Sequence, residues 1–341
     1  MRAAVLEEVG KLTIKDIPKP KLEQNEILIK VDSCNICGTD INLFKGKYTA
    51  KMPVVIGHEW SGYIVELGSN VNNFKIGERV VSDPNEACGI CYWCRSGKPC
   101  FCNNMPAYGV LKDGGFAEYI KITAKGAYKI PEGLDYESAA FTEPVSCAVH
   151  GIDKASVRQG ETVVIIGGGA MGQIILQLAL SAGARKLIMI EQLKSKLELA
   201  KKFGATDLIN AKEEDVIKRT LDMTDGLGAD VVIEVVGSPK TVELATKLVK
   251  KSGKVVIFGF SPEGEKANII PFEILSKELT IMGAWVNPYT SYRALDILAS
   301  GKIDVKSLVS TRLPLDKIMD GINLMIDKPE GFIRAVIKPG L

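Results

Sequence analysis

"ETVVIIGGGAMGQIILQLALSAGARKLIMIEQ", residues 161–192, is the stretch whose reading decides the fold. An apolar run, Thr162 to Ile166, stops at a glycine cluster. An apolar segment of helical length follows and ends at Gly183, and a second apolar run leads to Glu191. Strands apolar on both faces, separated by a helix, point to a parallel sheet covered on both sides. Gly167, Gly169 and Gly172 spell GxGxxG. The pattern alone is common, but here it leaves a strand and opens a helix, the context that dinucleotide binding requires. Gly167 allows the tight turn, Gly169 lets backbone approach a pyrophosphate at the helix N-terminus, and Gly172 lets helix and strand pack closely. Glu191 stands about 20 residues on, where a carboxylate accepts both ribose hydroxyls of NAD and repels the 2′-phosphate of NADP. Lys194 and Lys196 are nearby cations that would tolerate a phosphate. The reading favours NAD, with Glu191 and Lys196 in the cofactor-binding set.

Downstream the alternation continues. "KSKLELAKKFG" reads as a helix, "ADVVIEVVG" as a strand, "TVELATKLVKKSG" as a helix, "KVVIFGF" as a strand and "ELTIMGAW" as the last strand. "SYRALDILASGKI" then reads as a helix and "GFIRAVIKP" as a closing strand. Upstream the character differs. "EILIKVDSCNICG", "GYIVELG", "GERVVSD" and "FAEYIKI" are short β-branched runs punctuated by glycine or aspartate, which suggests a compact barrel-like domain. The fold class is therefore α/β, a β-rich domain beside a doubly wound parallel sheet of the Rossmann kind.

A chain of 341 residues, 46% hydrophobic and 25% charged, has room for two such cores. The net charge of +2 gives no electrostatic reason to expect nucleic acid or an anionic membrane. "MRAAVLEEVG" lacks the apolar core of a signal peptide, and no apolar run approaches the ~20 residues that span a bilayer. The expected location is cytoplasmic, where structural disulfides are rare.

That expectation bears on "CGICYWCRSGKPCFC", residues 88–102, which holds five of the eight cysteines. Cys88, Cys91 and Cys94 are separated by two residues each, and Cys102 follows after seven more. Such spacing lets thiolates converge, and Gly89 and Gly97 let the loop wrap a tetrahedral centre. Four thiolates leave no open position, so the reading is a closed structural zinc rather than a disulfide knot or a redox centre. Cys100 reads as a bystander, Cys34 and Cys147 as small buried apolar groups.

The two histidines, His58 and His150, are the remaining metal-type residues of note. His58 lies in "GHEW", Cys37 in "CNICGTD", and Glu143 in "TEPVSC" at the junction of the two regions. Spacing alone leaves two readings open, a Cys37–His58–carboxylate metal site or ordinary satisfied core groups. His150 is left unassigned. Trp60, Trp285 and Tyr289 are candidates for lining a substrate site or for filling core, and none is assigned.

Taken in order, Gly57-His58-Glu59 with Gly62, Gly68 and Val71, then "CGTD", the four-cysteine lobe, "TEP" and GxGxxG give the chain a family likeness over essentially its whole length. It resembles the zinc-dependent medium-chain alcohol dehydrogenases, and within them the polyol branch that includes sorbitol dehydrogenase. The resemblance implies a GroES-like catalytic domain over residues 1–147 and 289–341, with a structural-zinc lobe at about 86–104, and an NAD-binding Rossmann domain over 148–288. It implies two zinc ions per chain. Cys37, His58 and Glu59 become ligands of a catalytic zinc, with Glu143 a neighbour or exchanging ligand, where alcohol dehydrogenases proper place a second cysteine. Zinc would make a substrate hydroxyl acidic and stabilise its alkoxide, and hydride would pass to the nicotinamide. Thr39 occupies the position of the hydroxyl that takes the alcohol proton. Asn42 stands where relatives often carry a relay histidine. The expected reaction is reversible oxidation of a secondary hydroxyl of a sugar alcohol to the ketose. L-threonine 3-dehydrogenase and simple secondary-alcohol dehydrogenase use the same machinery. The expected partner is a small alcohol, and the expected assembly a homo-oligomer, tetramer or dimer. A zinc-ribbon nucleic-acid binder conflicts with the balanced charge, and a non-catalytic NAD- and zinc-binding protein conflicts with the complete open-site ligand set.

Overall fold

The computed structural model describes residues Met1–Leu341. The chain forms two compact units, Met1–Ser146 with Asn287–Leu341, and Cys147–Val286. No helix is long and apolar enough to cross a membrane.

In chain order the first unit begins with strands β1 (Arg2–Glu8), β2 (Lys11–Asp16), β3 (Glu26–Asn35), β4 (Val54–Val55), β5 (Glu59–Leu67), β6 (Arg79–Ser82), β7 (Tyr119–Thr123) and β8 (Ala127–Lys129). The second unit contributes β9 (Thr162–Ile166), β10 (Lys186–Glu191), β11 (Asp207–Asn210), β12 (Ala229–Glu234), β13 (Val249–Ile257) and β14 (Thr280–Gly283). The chain then returns to the first unit with β15 (Val309–Pro314) and β16 (Arg334–Lys338).

The second unit's sheet runs β11-β10-β9-β12-β13-β14, parallel throughout. All five β9 residues are buried, as the apolar run requires of a central strand covered on both faces. Three elements escape the sequence pattern. Strand β11 has only four residues, "DLIN", too few for any periodicity, and the helices Val216–Met223 and Pro271–Lys277 lie between strands without an apolar run of their own. The strand order reverses between β9 and β12, which places the glycine turn after β9 at the switch point where open α/β sheets bind ligands.

The first unit is built on a sheet of order β15-β16-β3-β5-β6-β8, with β7 also paired to β3, and on a smaller sheet β2-β1-β4. Its core gathers Leu6, Ile27, Ile29, Ile56, Ile64, Phe116, Ile120 and Ile122. Strand β15 is missing from the sequence reading because a proline ends it and its residues are only half-buried. The order matters for function: β3 lies between β16 and β5, so residues far apart in the chain share one row.

Phe116 joins the core to the residues around His58. It is fully buried, and its ring lies so close to Gly57 that a Cβ there would come within 2.8 Å of it. Gly57 also has φ +96°, which side-chain-bearing residues rarely adopt. Phe116→Ala should therefore cost about 3–5 kcal/mol, read as a shift of the urea midpoint at unchanged slope.

Candidate metal centres and cofactor site

Cys37 is the N-cap of the helix Gly38–Phe44, and Asp40 sits in its first turn. The Cys37 N–H donates to Asp40 Oδ2 at 2.8 Å, which fixes Cys37 at the helix start. His58 follows the Gly57 turn, and Glu59 opens β5, paired in register with Asn35 of β3. These constraints bring the ligand atoms of Cys37, His58 and Glu59 within 4.8 Å of one another. Glu143, in the first turn of the helix Thr142–Ala155, is outside that trio. Its charge, like that of Glu59, acts on the guanidinium of Arg334.

The electrostatics of the trio suit a dication. Burial pushes the Cys37 thiol up, and the Glu59 carboxylate adds to the shift. His58 lies 3.4 Å from Asp40 Oδ1 through Nδ1. Burial opposes its charged form, but the negative charges of Asp40 and Cys37 prevail and raise its pKa well above the ordinary value. Glu59 is fully buried; Arg334 Nη1 donates to its Oε2, while Oε1 has no partner. A half-buried thiol, a buried imidazole and a buried carboxylate oxygen free to bond form the N/S/O donor set that divalent zinc takes while keeping a position open.

The cysteine lobe forms the second cluster. Cys88, Cys91, Cys94 and Cys102 also lie with their sulfurs within 4.8 Å of one another. The closest pairs are Cys91–Cys94 at 3.5 Å and Cys88–Cys94 at 3.9 Å, and no two cysteines form a disulfide. Backbone N–H groups already point at the sulfurs: Cys91 donates to Cys88 Sγ at 3.4 Å, and Cys88 and Asn104 donate to Cys102 Sγ at 3.3 and 3.4 Å. The Ile90 and Cys91 N–H groups bring Cys88 down to about 6, whereas burial and the neighbouring sulfurs push Cys94 up to about 12. Four sulfurs cannot all ionise against one another, but a central dication favours all four thiolates. Cys100 lies outside the cluster, and Cys34 and Cys147 are buried.

At the cofactor motif, Gly167 takes φ +109°, and a Cβ on Gly172 would run into the Gly167 carbonyl. The helix Ala170–Ser181 starts at Gly169 with no side-chain cap, so its first N–H groups are open to a phosphate. The Gly168 peptide is held on both sides. Its N–H donates to Glu191 Oε2 at 2.8 Å, and its carbonyl accepts from Gln173 Nε2 at 3.0 Å. Glu191 Oε1 accepts from the Gln192 and Leu193 N–H groups at 2.6 and 3.2 Å. Carboxylate oxygens have two lone pairs each, so Glu191 braces the turn and keeps one acceptor position, on Oε2, for a ribose hydroxyl. Lys196 is buried in the helix Lys194–Lys202, its carbonyl accepting from Gln173 at 2.8 Å, while Lys194 pairs with Glu213 at 2.9 Å.

Sequence reading missed Asp40's contact with His58, Gln173's hold on the turn and Arg334's bond to Glu59. Asp40 had a legible signal, three residues after Cys37 at a helix start. Arg334 had none, being 275 residues from Glu59. Trp60 is buried; Trp285 and Tyr289 are exposed.

Residues 23–132 match the alcohol dehydrogenase GroES-like domain, and residues 170–300 match the zinc-binding dehydrogenase domain. Sorbitol dehydrogenase of Bacillus subtilis is 32% identical over 99% of this chain and 97% of its own length. The chain belongs to the zinc-type alcohol dehydrogenase family. This dehydrogenase is similar also to L-threonine 3-dehydrogenase of Bacillus licheniformis, at 34% identity over 91% of this chain and 90% of the relative. Among solved structures it resembles a zinc-binding dehydrogenase of Sinorhizobium meliloti bound to NADP, with 38% identity, TM-score 0.94 and 99% of each chain covered. The family is one of NAD(P)-linked oxidoreductases, and the GroES-like and Rossmann-like units of this zinc-type dehydrogenase are those expected from its sequence.

Cys94→Ser removes one sulfur of the lobe cluster. In this dehydrogenase it should lower the metal content by one ion per chain and the Tm by several degrees, since structural metal binding contributes directly to folding. Metal analysis and thermal unfolding on the same sample check both.

Proposed function

We propose that this dehydrogenase oxidises a secondary hydroxyl of a sugar alcohol to the ketose, reversibly, with NAD. The observation that carries the reading is the Cys37–His58–Glu59 trio, in which a buried carboxylate with a free oxygen joins one half-buried thiol and one buried imidazole. Carboxylates at and near the centre, Glu59 and Glu143, make it more polar than a thiol-rich one and favour a substrate with several hydroxyls. Similarity to sorbitol dehydrogenase supports the polyol reading, and similarity to L-threonine 3-dehydrogenase makes threonine the substrate to test against it.

In this reading Cys37, His58 and Glu59 hold the catalytic zinc, with Glu143 exchanging, and Cys88, Cys91, Cys94 and Cys102 hold the structural one. When bound, the metal supplies a Lewis acid that makes a substrate hydroxyl acidic, and the nicotinamide supplies the hydride acceptor. Thr39 receives the hydroxyl proton at Oγ1, which lies 3.8 Å from Cys37 Sγ. Asp40 orients the His58 ring from 3.4 Å. Asn42, a half-buried amide, cannot titrate, so the proton continues through solvent and no histidine step near neutral pH enters there. Gly167, Gly169 and Gly172 cradle the pyrophosphate, Glu191 accepts from the adenosine ribose, and Lys196 belongs to the same cofactor-binding set. The substrate is a small alcohol, and we place the enzyme in the cytoplasm as a homo-oligomer.

His58→Ala should abolish turnover while NAD binding, followed by protein fluorescence, stays within about twofold. Turnover is best measured on a panel of polyols, threonine and simple secondary alcohols. Polyols should lead in kcat/KM, and a panel led by threonine would transfer the reading to the amino-acid substrate. Glu191→Ala should narrow an NAD over NADP preference by about tenfold, read as the ratio of kcat/KM values. An unchanged ratio would remove Glu191 from the discrimination.

A further inference from the structure

Asn35 is fully buried on the central strand β3, and neither its Nδ2 nor its Oδ1 has a hydrogen-bond partner. An asparagine so placed carries the desolvation cost of each unpaired group. Its surroundings indicate what it is for. Asn35 pairs in register with Glu59 on one side and with Val336 on the other. Directly opposed residues project from one face of a sheet, as do residues two apart on a strand. Asn35, Glu59 and Arg334 therefore share a face, with Asn35 in the middle. The Arg334–Glu59 ion pair joins β16 to β5 across the strand that carries Asn35.

Two further polar atoms of that ion pair are also without partners, Arg334 Nε and Glu59 Oε1. The four atoms complement one another. Asn35 Oδ1 is an acceptor for the Arg334 Nε–H, and Asn35 Nδ2 is a donor for Glu59 Oε1. Glu59 Oε1 is also the oxygen that the Arg334 bond leaves free for a metal.

We propose that Asn35 is a positioning residue that governs the reach of the Glu59 carboxylate toward Cys37 and His58. Small side-chain rotations let its amide bridge Arg334 and Glu59, occupying Oε1 and withdrawing the carboxylate. With the bridge open, as here, Oε1 has no hydrogen-bond partner. The amide thus gives the displaced carboxylate a neutral, hydrogen-bonded resting place inside a sheet where an unpaired charge would be costly. Carboxylate exchange during turnover then becomes a movement between two satisfied positions. The proposal rests on the metal reading of Cys37, His58 and Glu59.

Asn35→Ala and Asn35→Leu test it in the full-length, metal-loaded protein, alongside the wild type. Without the bridge, Glu59 should stay on the metal. Zinc loss to a chelator from this centre should slow by about tenfold, and the visible d–d bands of the cobalt-substituted enzyme should shift. The Tm should hold or rise, because the variants remove unpaired buried amide atoms, while kcat falls by about tenfold with less change in KM. Wild-type metal loss and an unshifted cobalt spectrum in both variants would overturn the proposal, as would a Tm loss of several degrees in both, which marks a structural role. Wild-type protein that binds cobalt only with the spectrum of a four-thiolate site would overturn the metal reading itself and this inference with it.

Discussion

The structure of the catalytic unit depends on one awkward fact, a carboxylate with no access to water. Glu59 is fully buried in β5, and a charge in such a place must be compensated or neutralised. Arg334 answers on one side, from the last strand of the chain, with the face of Phe141 5.7 Å from its guanidinium carbon. On the other side are Cys37 and His58, with Asp40 behind the histidine. The requirement explains why the C-terminal segment returns to the first unit: β16 pairs with β3 and delivers the cation to Glu59. It also explains why the trio suits a dication, which would favour the thiolate and the carboxylate at once.

The two sulfur-bearing centres solve different problems. In the lobe, backbone N–H groups are aimed at Cys88 and Cys102, so the turn that presents these sulfurs also donates to them. Four sulfurs would close the shell of an ion and leave nothing for a substrate to bind. At the trio burial pushes the Cys37 thiol up, and the compensation comes from side chains, His58 and Arg334, delivered by separate elements. A centre held by three elements and one free carboxylate oxygen can change partners, whereas a knot of local N–H···S bonds holds its form.

What the sequence made legible follows the range of the interactions. The glycine motif, the CxxC steps and the Cys37–Asp40 helix start are each contained within a few residues, so spacing carried them. The parallel sheet was legible because its central strands are apolar on both faces, and β11 was not, because four residues carry no period. Gly57-His58-Glu59 was legible only through family likeness; nothing local brings it to Cys37, since the register of β3 on β5 does that. Arg334 and Asn35 were illegible for the same reason, being set by a pairing between strands from opposite ends of the chain.

Whether five cysteines serve two different metal centres, four in the lobe and one at the trio, is read out by zinc X-ray absorption on the purified protein with metal analysis of the same sample. Two zinc ions per chain are expected, with a mean shell of sulfur diluted by nitrogen and oxygen, because Cys37 would share its ion with His58 and a carboxylate. A single zinc per chain in a shell of sulfur alone would contradict that expectation, leaving the lobe intact and the trio without its metal.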